Sequence, residues 1–318
     1  MITKLTNNSP PASSAIADEL ADLTPISTFR ELEVFRFSGN DCPVTLTEIG
    51  HIREVAYRER GAGRGLEYDL DDLDTGHNAY IQLIVWDPGE NQLVALYRYQ
   101  LGSRAADGKT SCLRTSSLFD YSETFKKEVL PYSLELGRSV VNASARRSRL
   151  GFYAIWKGLG ALLHIHSNIR YFFGNVSLYK TMPPSARDGL IRYLHRHYAP
   201  PEPMLIAKKQ YRYNPGKEKM PGPVETGDLG LNETDLVYPV EPGEEDNPGN
   251  RIKRVNRLLK PNGETLPAIL KSYMSLSNRI WFGETTIDHN FGDAFETGII
   301  VPVQNIRHVI RKVFIDNH

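Results

Sequence analysis

Cysteine, net charge and long apolar runs are all scarce in this chain of 318 residues. Its two cysteines, Cys42 and Cys112, are far apart, which excludes the paired spacing of zinc and redox motifs and indicates a reducing compartment. Lysine plus arginine and aspartate plus glutamate number 38 each, so no overall field attracts nucleic acid. No nucleic-acid partner is expected, and an anionic partner must be met by a local patch.

No stretch is apolar enough to predict a membrane span or an export signal. The longest apolar stretch, residues 158–165, is too short to cross a hydrocarbon core of about 30 Å. Residues 1–21 are rich in Ser, Pro, Asn and Ala and lack the apolar centre of a signal peptide. The sequence thus predicts a cytoplasmic protein whose contact with the inner membrane would be peripheral.

Composition divides the chain into four segments. Hydrophobic residues at 40% and charged residues at 24% are ordinary values for a folded protein. The shifts in composition predict a flexible tail (1–28), a folded core (29–200), an insertion rich in Pro, Gly and Glu (201–250) and a C-terminal segment of helix and strand that completes the domain (251–318).

Strand and helix patterns alternate along the predicted core. Two β-branched and aromatic runs, 79–86 and 92–99, flank a turn that contains Pro and Gly, and together they predict a hairpin. The residue periods then predict a strand, a helix, a buried strand and a second helix, at 133–141, 152–166, 171–178 and 185–198. In the C-terminal segment they predict two helices and a last strand, at 251–260, 266–276 and 297–303.

A glutamate and an arginine share the strand predicted at 133–141. Glu135 and Arg138 are three positions apart, so they point to opposite faces unless a bulge intervenes, which Gly137 would permit. One of them would then line a cleft. The local pattern alone favours an ordinary strand with a salt-bridged surface pair.

Five carboxylates crowd the segment before the hairpin, at Glu67, Asp69, Asp71, Asp72 and Asp74. Like charges at this density need a cation. They could hold a substrate ammonium, position a water for proton removal or bind a divalent metal. A solvated acidic loop is the commoner outcome, and the spacing does not match a calcium-binding EF-hand. No metal is predicted.

A basic turn links the strand at 133–141 to the next helix. Arg146, Arg147 and Arg149 precede Gly151, and backbone N–H groups at a helix N-terminus beside guanidinium groups suit a phosphate. An unremarkable basic turn is the alternative. The turn has no Walker motif, which weakens nucleotide hydrolysis as an explanation.

A second basic cluster lies at 251–260, with apolar residues at near-helical spacing between its five cations. Such a surface suits an acidic carrier protein or an anionic lipid. The alternative, a solvated amphipathic helix packed on the core, is given similar weight to this binding role.

Several of these motifs resemble, in the same order, the GNAT-type acyltransferases often labelled hemolysin-like, which include the first enzymes of ornithine-lipid and glycine-lipid synthesis. The resemblance rests on ELGRSVV (135–141), FYAIWKGLGALL (152–163), YFFGNVSL (171–178) and a closing stretch with Asp288, Phe291 and Ala294, and it runs from about residue 52 to 300. A more distant similarity is to acyl-homoserine-lactone synthases, whose motifs correspond to Glu67, Asp69 and Asp72, to Arg98, and to Glu135 with Arg138.

The resemblance implies an α/β (α+β) GNAT fold, a mixed central sheet flanked by helices with a C-terminal helical extension. Strands 133–141 and 171–178 would part to bind the pantetheine arm of the donor. No cofactor would be bound, and the co-substrate would be an acyl carrier protein (acyl-ACP) thioester or acyl-CoA. Arg146, Arg147 and Arg149 would meet the phosphate. Because only Arg149-Leu150-Gly151 approximates the GNAT phosphate loop, acyl carrier protein is favoured over acetyl-CoA.

The resemblance also implies roles for the site residues. Glu135 would be the general base and the N–H groups of Val140 or Val141 would bind the oxyanion. Arg98 and Arg138 would bind the substrate carboxylate or organise the acidic loop. Glu67, Asp69 and Asp72 would bind the substrate amino group.

The expected activity is N-acylation of a small amino acid, glycine or ornithine, with a (3-hydroxy) fatty acyl group from acyl carrier protein, in aminolipid biosynthesis. The partners would be acyl carrier protein, the amino acid and, through 251–260, the membrane surface. A synthase of acyl-homoserine-lactone-like signals and a non-catalytic module that binds acyl carrier or membrane are the alternatives.

Overall fold

The computed structural model describes residues 13–108, 112–215, 247–277 and 279–316. Its helices are α1 (Ser13–Ala21), α2 (Pro43–Arg58), α3 (Asp72–Thr75), α4 (Ser148–Ile165), α5 (Pro184–His197), α6 (Pro248–Leu259), α7 (Ala268–Leu276) and α8 (His308–Phe314). Its strands are β1 (Ser27–Phe29), β2 (Leu32–Ser38), β3 (Ile81–Asp87), β4 (Gln92–Leu101), β5 (Phe119–Tyr121), β6 (Ser133–Val141), β7 (Tyr171–Leu178), β8 (Leu205–Ala207), β9 (Arg212–Tyr213), β10 (Trp281–Asp288) and β11 (Ala294–Pro302).

The chain divides into two compact units that alternate along the sequence. The first unit comprises Met1–Gln100, Leu136–Asn168 and Lys312–His318, and the second comprises Leu101–Glu135 and Ile169–Arg311. Strand β6 begins in the second unit and continues in the first, because the division falls after Glu135.

The first unit is a sheet with strands in the order β1-β2-β3-β4-β6, covered by helix α4. The β3–β4 pair is the predicted hairpin, and it is antiparallel like the β1–β2 and β2–β3 pairs. Helix α4 packs closely on this sheet at Gly158. A Cβ atom at this position would lie 2.7 Å from Cγ1 of Val34, so only glycine allows the close approach.

Helix α1 falls within the segment 1–28 that composition assigns to a flexible tail. Ile16 and Leu20 are buried, and the Glu19 carboxylate accepts hydrogen bonds from the backbone N–H of Val44 (2.9 Å) and of Thr45 (2.7 Å) in the first turn of α2. Two otherwise unbonded donors of that helix end are thereby satisfied. The described part of the segment is therefore tied to the first unit, unlike the tail expected from the sequence.

The second unit contains a sheet in the order β7-β11-β10-β9 and a small β5–β8 pair, all antiparallel. Helix α5 packs against β10 and α6, and α6 packs against α7. The aromatic rings of Phe119, Phe125 and Phe173 lie in its core with Leu205 and Ile300. The predicted α/β architecture, a sheet flanked by helices, is confirmed.

Strand β10 is absent from the sequence prediction, which gives 297–303 as the only C-terminal strand. Its polar residues Thr285 and Thr286 are fully buried, so the expected alternation of apolar and polar residues is missing. The Thr285 hydroxyl is satisfied by Thr297 at 2.8 Å and by His195 at 3.0 Å. Most of the predicted insertion 201–250 lies outside the described residues, apart from β8, β9 and the start of α6.

Candidate active site

Three arginines and three aspartates interlock in the first unit. This arginine–aspartate cluster joins α2, the acidic segment around α3, β4 and β6. Its members are Arg53, Arg98, Arg138, Asp69, Asp71 and Asp74.

Asp74 is the fully buried centre of the cluster. Oδ1 accepts from Nη1 of Arg53 (2.9 Å) and from Nε2 of Gln82 (3.1 Å), and Oδ2 accepts from Nη1 of Arg98 (2.8 Å) and from the N–H of Asp71 (3.1 Å). Burial alone would raise the pKa of Asp74, but the two guanidinium groups outweigh it and hold the pKa far below its usual range. Asp74 is therefore ionised throughout the neutral range.

Arg98 comes from β4 and is 1% exposed. Its Nη1 and Nη2 donate to the two carboxylate oxygens of Asp71, at 2.7 and 3.1 Å, and its guanidinium lies over the ring of Tyr80. This paired geometry is the strongest form of an arginine–carboxylate contact. Arg98 is thus joined to the acidic segment by a paired contact.

Arg138 lies in β6 with a φ of +54°, in the left-handed region that non-glycine residues rarely adopt. Such a conformation costs roughly 1–3 kcal/mol and persists only where its surroundings enforce it. Its Nη2 donates to Oδ1 of buried Asp69 at 3.0 Å, and its Nε lies 2.7 Å from Oδ2 of the same carboxylate. The left-handed residue of β6 is therefore Arg138 and not Gly137.

The cation that the crowded carboxylates require is supplied by the protein. Arg53, Arg98 and Arg138 balance the charge of Asp69, Asp71 and Asp74. The other two carboxylates lie outside the cluster: Glu67 and Asp72 are exposed. Glu67 accepts a hydrogen bond from the hydroxyl of Tyr68 and lines a pocket of about 190 Å³ with His51 and Glu54.

The basic turn leads into α4, as predicted. Arg147 is the N-cap residue and provides no side-chain cap, and its Nη1 donates to Asp87 at 2.9 Å. Arg146 pairs with Glu90. Arg149 is exposed on the first turn of the helix.

Gly151 in the same turn is a packing position. A side chain there would come within 3.1 Å of Cβ of Ala95 and 3.3 Å of the Val94 carbonyl oxygen. At the end of β6, Val140 is buried and Val141 is half-buried, two and three residues after the strained Arg138.

Glu135 lies in the second unit and is 1% exposed. Its Oε2 accepts from the N–H of Arg114 at 3.0 Å and its Oε1 from the N–H of Thr115 at 2.6 Å, at the start of a 3₁₀ turn. These two bonds fix the orientation of the Glu135 carboxylate.

Asp288 and Glu296 add two buried carboxylates to the second unit. The Arg114 side chain pairs with Asp288, at the end of β10. Glu296 of β11 accepts from the hydroxyl of Ser177 (2.8 Å) and from the amide of Asn175. Burial raises the pKa of Glu296, and the charge of Asp288 raises it further. A raised carboxylate pKa is a common property of groups that transfer protons. Glu296 is therefore a further candidate for a proton-transferring residue.

The basic cluster at 251–260 forms helix α6. Its apolar residues Val255, Leu258 and Leu259 are buried, and so is Arg254. The remaining cations are exposed at Lys253, Arg257 and Lys260 and half-buried at Arg251. The helix thus packs on the second unit by its apolar face and presents charge on the other.

Sequence patterns do not indicate Arg53 or Glu296 as site residues, and they include Asp71 and Asp74 only as members of the run of five carboxylates. Arg53 occurs in an amphipathic helix pattern, and the two aspartates looked like part of a solvated run. One available signal was the number of carboxylates, which exceeds what Arg98 and Arg138 could pair. Nothing in the sequence around Glu296 marks it as buried.

The sequence matches the Acetyltransferase (GNAT) domain over residues 52–157. It is 33% identical over 300 residues to a glycine N(alpha)-acyltransferase of Bacteroides thetaiotaomicron, covering 90% of this chain and 83% of the relative. It is 34% identical over 301 residues to a glycine N(alpha)-acyltransferase of Phocaeicola vulgatus, covering 90% and 86%.

Two solved structures are more distantly similar. The AHL synthase LasI has 15% identity and a TM-score of 0.31, with 46% of this chain and 71% of that chain covered. The CoA-dependent acyl-homoserine lactone synthase MesI has 15% identity and a TM-score of 0.28, with 49% and 75% covered. Across the described residues, no helix is both long and apolar enough to span a membrane.

Proposed function

The chain belongs to the GNAT-type N-acyltransferase family of these two glycine N(alpha)-acyltransferases, and from this we propose that it transfers a fatty acyl group from an acyl carrier protein thioester to the amino group of glycine. The observation that carries the proposal is the identity of 33% and 34% over nine-tenths of the chain. The product, an N-acylglycine, would be a precursor of an aminolipid.

The reaction forms one amide bond and breaks one thioester bond. The amine lone pair attacks the thioester carbonyl, a base takes the ammonium proton, and the carrier leaves as a free thiol. Burial raises the pKa of the Cys42 thiol to about 11 and also raises that of Cys112, so both cysteines are poor nucleophiles. Direct transfer is therefore favoured over a covalent acyl-enzyme on cysteine.

Glu135 is the proposed base. It is buried, it lies on the strand that carries the family motif, and its carboxylate is held in place by two backbone N–H groups. The proposed oxyanion donors are the N–H groups of Val140 and Val141. Arg98 and Arg138 are proposed to act through the acidic segment, which they organise by the contacts described above.

The donor phosphate is proposed to meet the start of α4. Arg146 and Arg147 pair with carboxylates of the β3–β4 hairpin, which leaves exposed Arg149 as the arginine best placed to contact an incoming phosphate. The N-terminus of α4 has no side-chain cap, and its N–H groups and dipole favour an anion. The exposed carboxylates Glu67 and Asp72 are the proposed contacts for the substrate ammonium.

Donor-dependent release of free thiol tests the function. The protein is incubated with acyl carrier protein loaded with a 3-hydroxyacyl chain, and thiol is measured with glycine, ornithine or no acceptor. Thiol release that needs glycine, with N-acylglycine seen by mass spectrometry, is expected. Release with ornithine alone would overturn the assignment of the acceptor, and acyl-CoA as the better donor would overturn that of the carrier.

Glu135→Gln is expected to abolish acyl transfer, because a positioned general base contributes about 10²–10⁴-fold in rate. The new amide nitrogen would face a backbone N–H, so the folded fraction is measured on the same sample. Glu123→Gln, at an exposed carboxylate of the same unit, is the matched control and should keep normal turnover. Near-normal turnover of the Glu135 variant would remove this residue from the mechanism.

The exposed face of α6 is proposed as the contact with the acidic carrier or with the anionic inner surface of the membrane. Lys253, Arg257 and Lys260 supply its charge. Reversal of these three charges should weaken binding to the carrier or to anionic vesicles. Unchanged binding to both would show that the helix is an ordinary solvated surface.

A further inference from the structure

One buried carboxylate joins two turns of the second unit. Asp288 is buried at the end of β10, where the turn to β11 begins. Its Oδ1 accepts from the N–H of Asn290 at 3.1 Å, so one oxygen of the carboxylate holds its own turn. Its Oδ2 accepts from Nη2 of Arg114, which lies 174 positions earlier in the chain. The carboxylate therefore links two segments that are far apart in sequence.

The turn that contains Asp288 has a fixed shape. The N–H of Phe291 donates to the Asp288 carbonyl and the N–H of Ala294 donates to the Phe291 carbonyl, both at 3.1 Å. These three residues are buried, and they are the ones that match the closing stretch of the family. Gly292 and Asp293 lie between them with left-handed φ values of +62° and +51°. Asp288 is thus a fixed point at the end of the sheet.

Arg114 begins the second turn, a 3₁₀ turn at Arg114–Ser117. Its guanidinium contacts two partners, because Nη1 donates to the hydroxyl of Ser117 and Nη2 donates to Asp288. The Ser117 hydroxyl donates to the Arg114 carbonyl at 2.8 Å. The planar fork of arginine therefore ties the turn both to itself and to β10, a geometry that the single ammonium group of lysine does not reproduce.

The same 3₁₀ turn orients Glu135. The backbone N–H groups of Arg114 and Thr115 donate to the two oxygens of the Glu135 carboxylate, at 3.0 and 2.6 Å. The Thr115 hydroxyl also lies 2.6 Å from the hydroxyl of Tyr121 on β5. A shift of this turn would move both N–H groups that hold the Glu135 carboxylate.

We propose that Asp288 is a positioning residue for the base, because through Arg114 it fixes the turn whose N–H groups orient Glu135. The inference rests on the proposed acyl transfer, in which Glu135 takes the ammonium proton. A base must lie within hydrogen-bond reach of the proton that it removes. A displacement of about 1 Å can cost about a hundredfold in rate. Asp288 therefore acts on the rate of the reaction and not on the binding of glycine.

Hydrogen exchange of two backbone amides, measured by NMR on the full chain, tests this positioning without any acyl transfer. The amides of Arg114 and Thr115 exchange when their bonds to Glu135 open. Asp288→Asn replaces a charge-assisted bond to Arg114 by a neutral one that is about half as strong. We expect exchange of both amides to become about tenfold faster, while the amides of β11 keep their rates.

Two further variants accompany Asp288→Asn. Arg114→Lys keeps the positive charge beside Asp288 but loses the fork, so it should speed exchange of the Thr115 amide as well. It also provides a second test if Asp288→Asn does not fold. Asp120→Asn is the matched control, since Asp120 is an exposed carboxylate on β5 that pairs with Lys208 at 2.8 Å. The control should leave the exchange rates of both amides unchanged.

Kinetics test whether this orientation matters for the reaction. In the thiol-release assay with glycine, Asp288→Asn should lower kcat about tenfold to a hundredfold and leave the KM for glycine within about threefold. Added to Glu135→Gln, it should lower the residual rate by less than about threefold, because it acts through Glu135. Asp120→Asn should keep the wild-type kcat.

Unchanged exchange of the Thr115 amide in either folded variant would overturn the proposal, and so would equally fast exchange in Asp120→Asn. A higher KM with an unchanged kcat, or a full additional loss in the Glu135→Gln background, would also overturn it, since Asp288 would then act by another route. If the wild type releases no thiol, the proposed function fails. The exchange rates still decide in that case whether Asp288 holds the turn.

Discussion

Asp74→Asn removes one charge from the centre of the arginine–aspartate cluster without changing the size of the side chain. In the wild type, Asp74 contacts both Arg53 and Arg98. The variant leaves the buried Arg53 without a carboxylate at this position; its Nη2 still donates to the side-chain oxygen of Gln82 at 2.7 Å. Removing one partner of a buried ion pair costs about 3–5 kcal/mol.

The expected shift in urea follows from that range. The free energy of unfolding falls by about 3 kcal/mol per molar urea at the upper end of the usual range. With that slope, the unfolding midpoint should fall by roughly 1–1.7 M. Asp72→Asn is the matched control, because Asp72 is exposed two residues away. Surface changes of this kind usually stay within about 0.5 kcal/mol.

The same residue gives a pH dependence with a definite sign. The pKa of Asp74 is depressed in the folded protein, so its contribution to stability is complete above the ordinary value near 3.8 and is lost as pH falls towards the folded value. Asp74→Asn should therefore lose part of the acid sensitivity of the wild type. Circular dichroism at several pH values measures both effects. Equal midpoints for the Asp74 and Asp72 variants would refute the account of the cluster.

Three further outcomes are expected. Gly39→Ala should destabilise the fold by about 1–3 kcal/mol in urea, because the new methyl group overlaps the Asp74 carbonyl, whereas Gly137→Ala has open space and should cost less; equal losses would contradict this. Burial raises the pKa of Glu296, so wild-type stability should fall as pH rises from about 4.5 through that raised value, and a fall of the same size in Glu296→Gln would exclude Glu296 as its source. Arg149→Gln should raise the KM for acyl carrier protein about tenfold with kcat unchanged, and an unchanged KM would remove Arg149 from the donor site.

Most elements of the fold were predictable because their patterns are local. The β3–β4 hairpin has β-branched runs on both sides of a Pro-Gly turn, and β6 and β7 have the bounds predicted from their residue periods. Strand β10 was missed because its buried residues include Thr285, whose hydroxyl group finds partners on α5 and β11. Burial of polar residues depends on such distant partners, and a local pattern does not contain them.

The candidate site was predictable only in part, for the same physical reason. Asp69, Arg98 and Arg138 were selected from the sequence, but the partners within the cluster are separated by 21 to 69 positions. A run of acidic residues cannot show which members face inward. The turn around α3 decides this, because it directs Asp71 and Asp74 towards arginines and leaves Asp72 in solvent.

The order of the segments of the two units along the sequence has a consequence for synthesis in the cell. The last residues of the first unit are close to its earlier parts: the Phe314 ring lies 6.2 Å from that of Tyr153, and the Ile315 carbonyl accepts from Nε2 of His164 at 2.6 Å. Nascent chains emerge from the ribosome N-terminus first, so these contacts must wait until residue 315 has left the exit tunnel. The first unit therefore completes its packing only after the whole second unit has been translated.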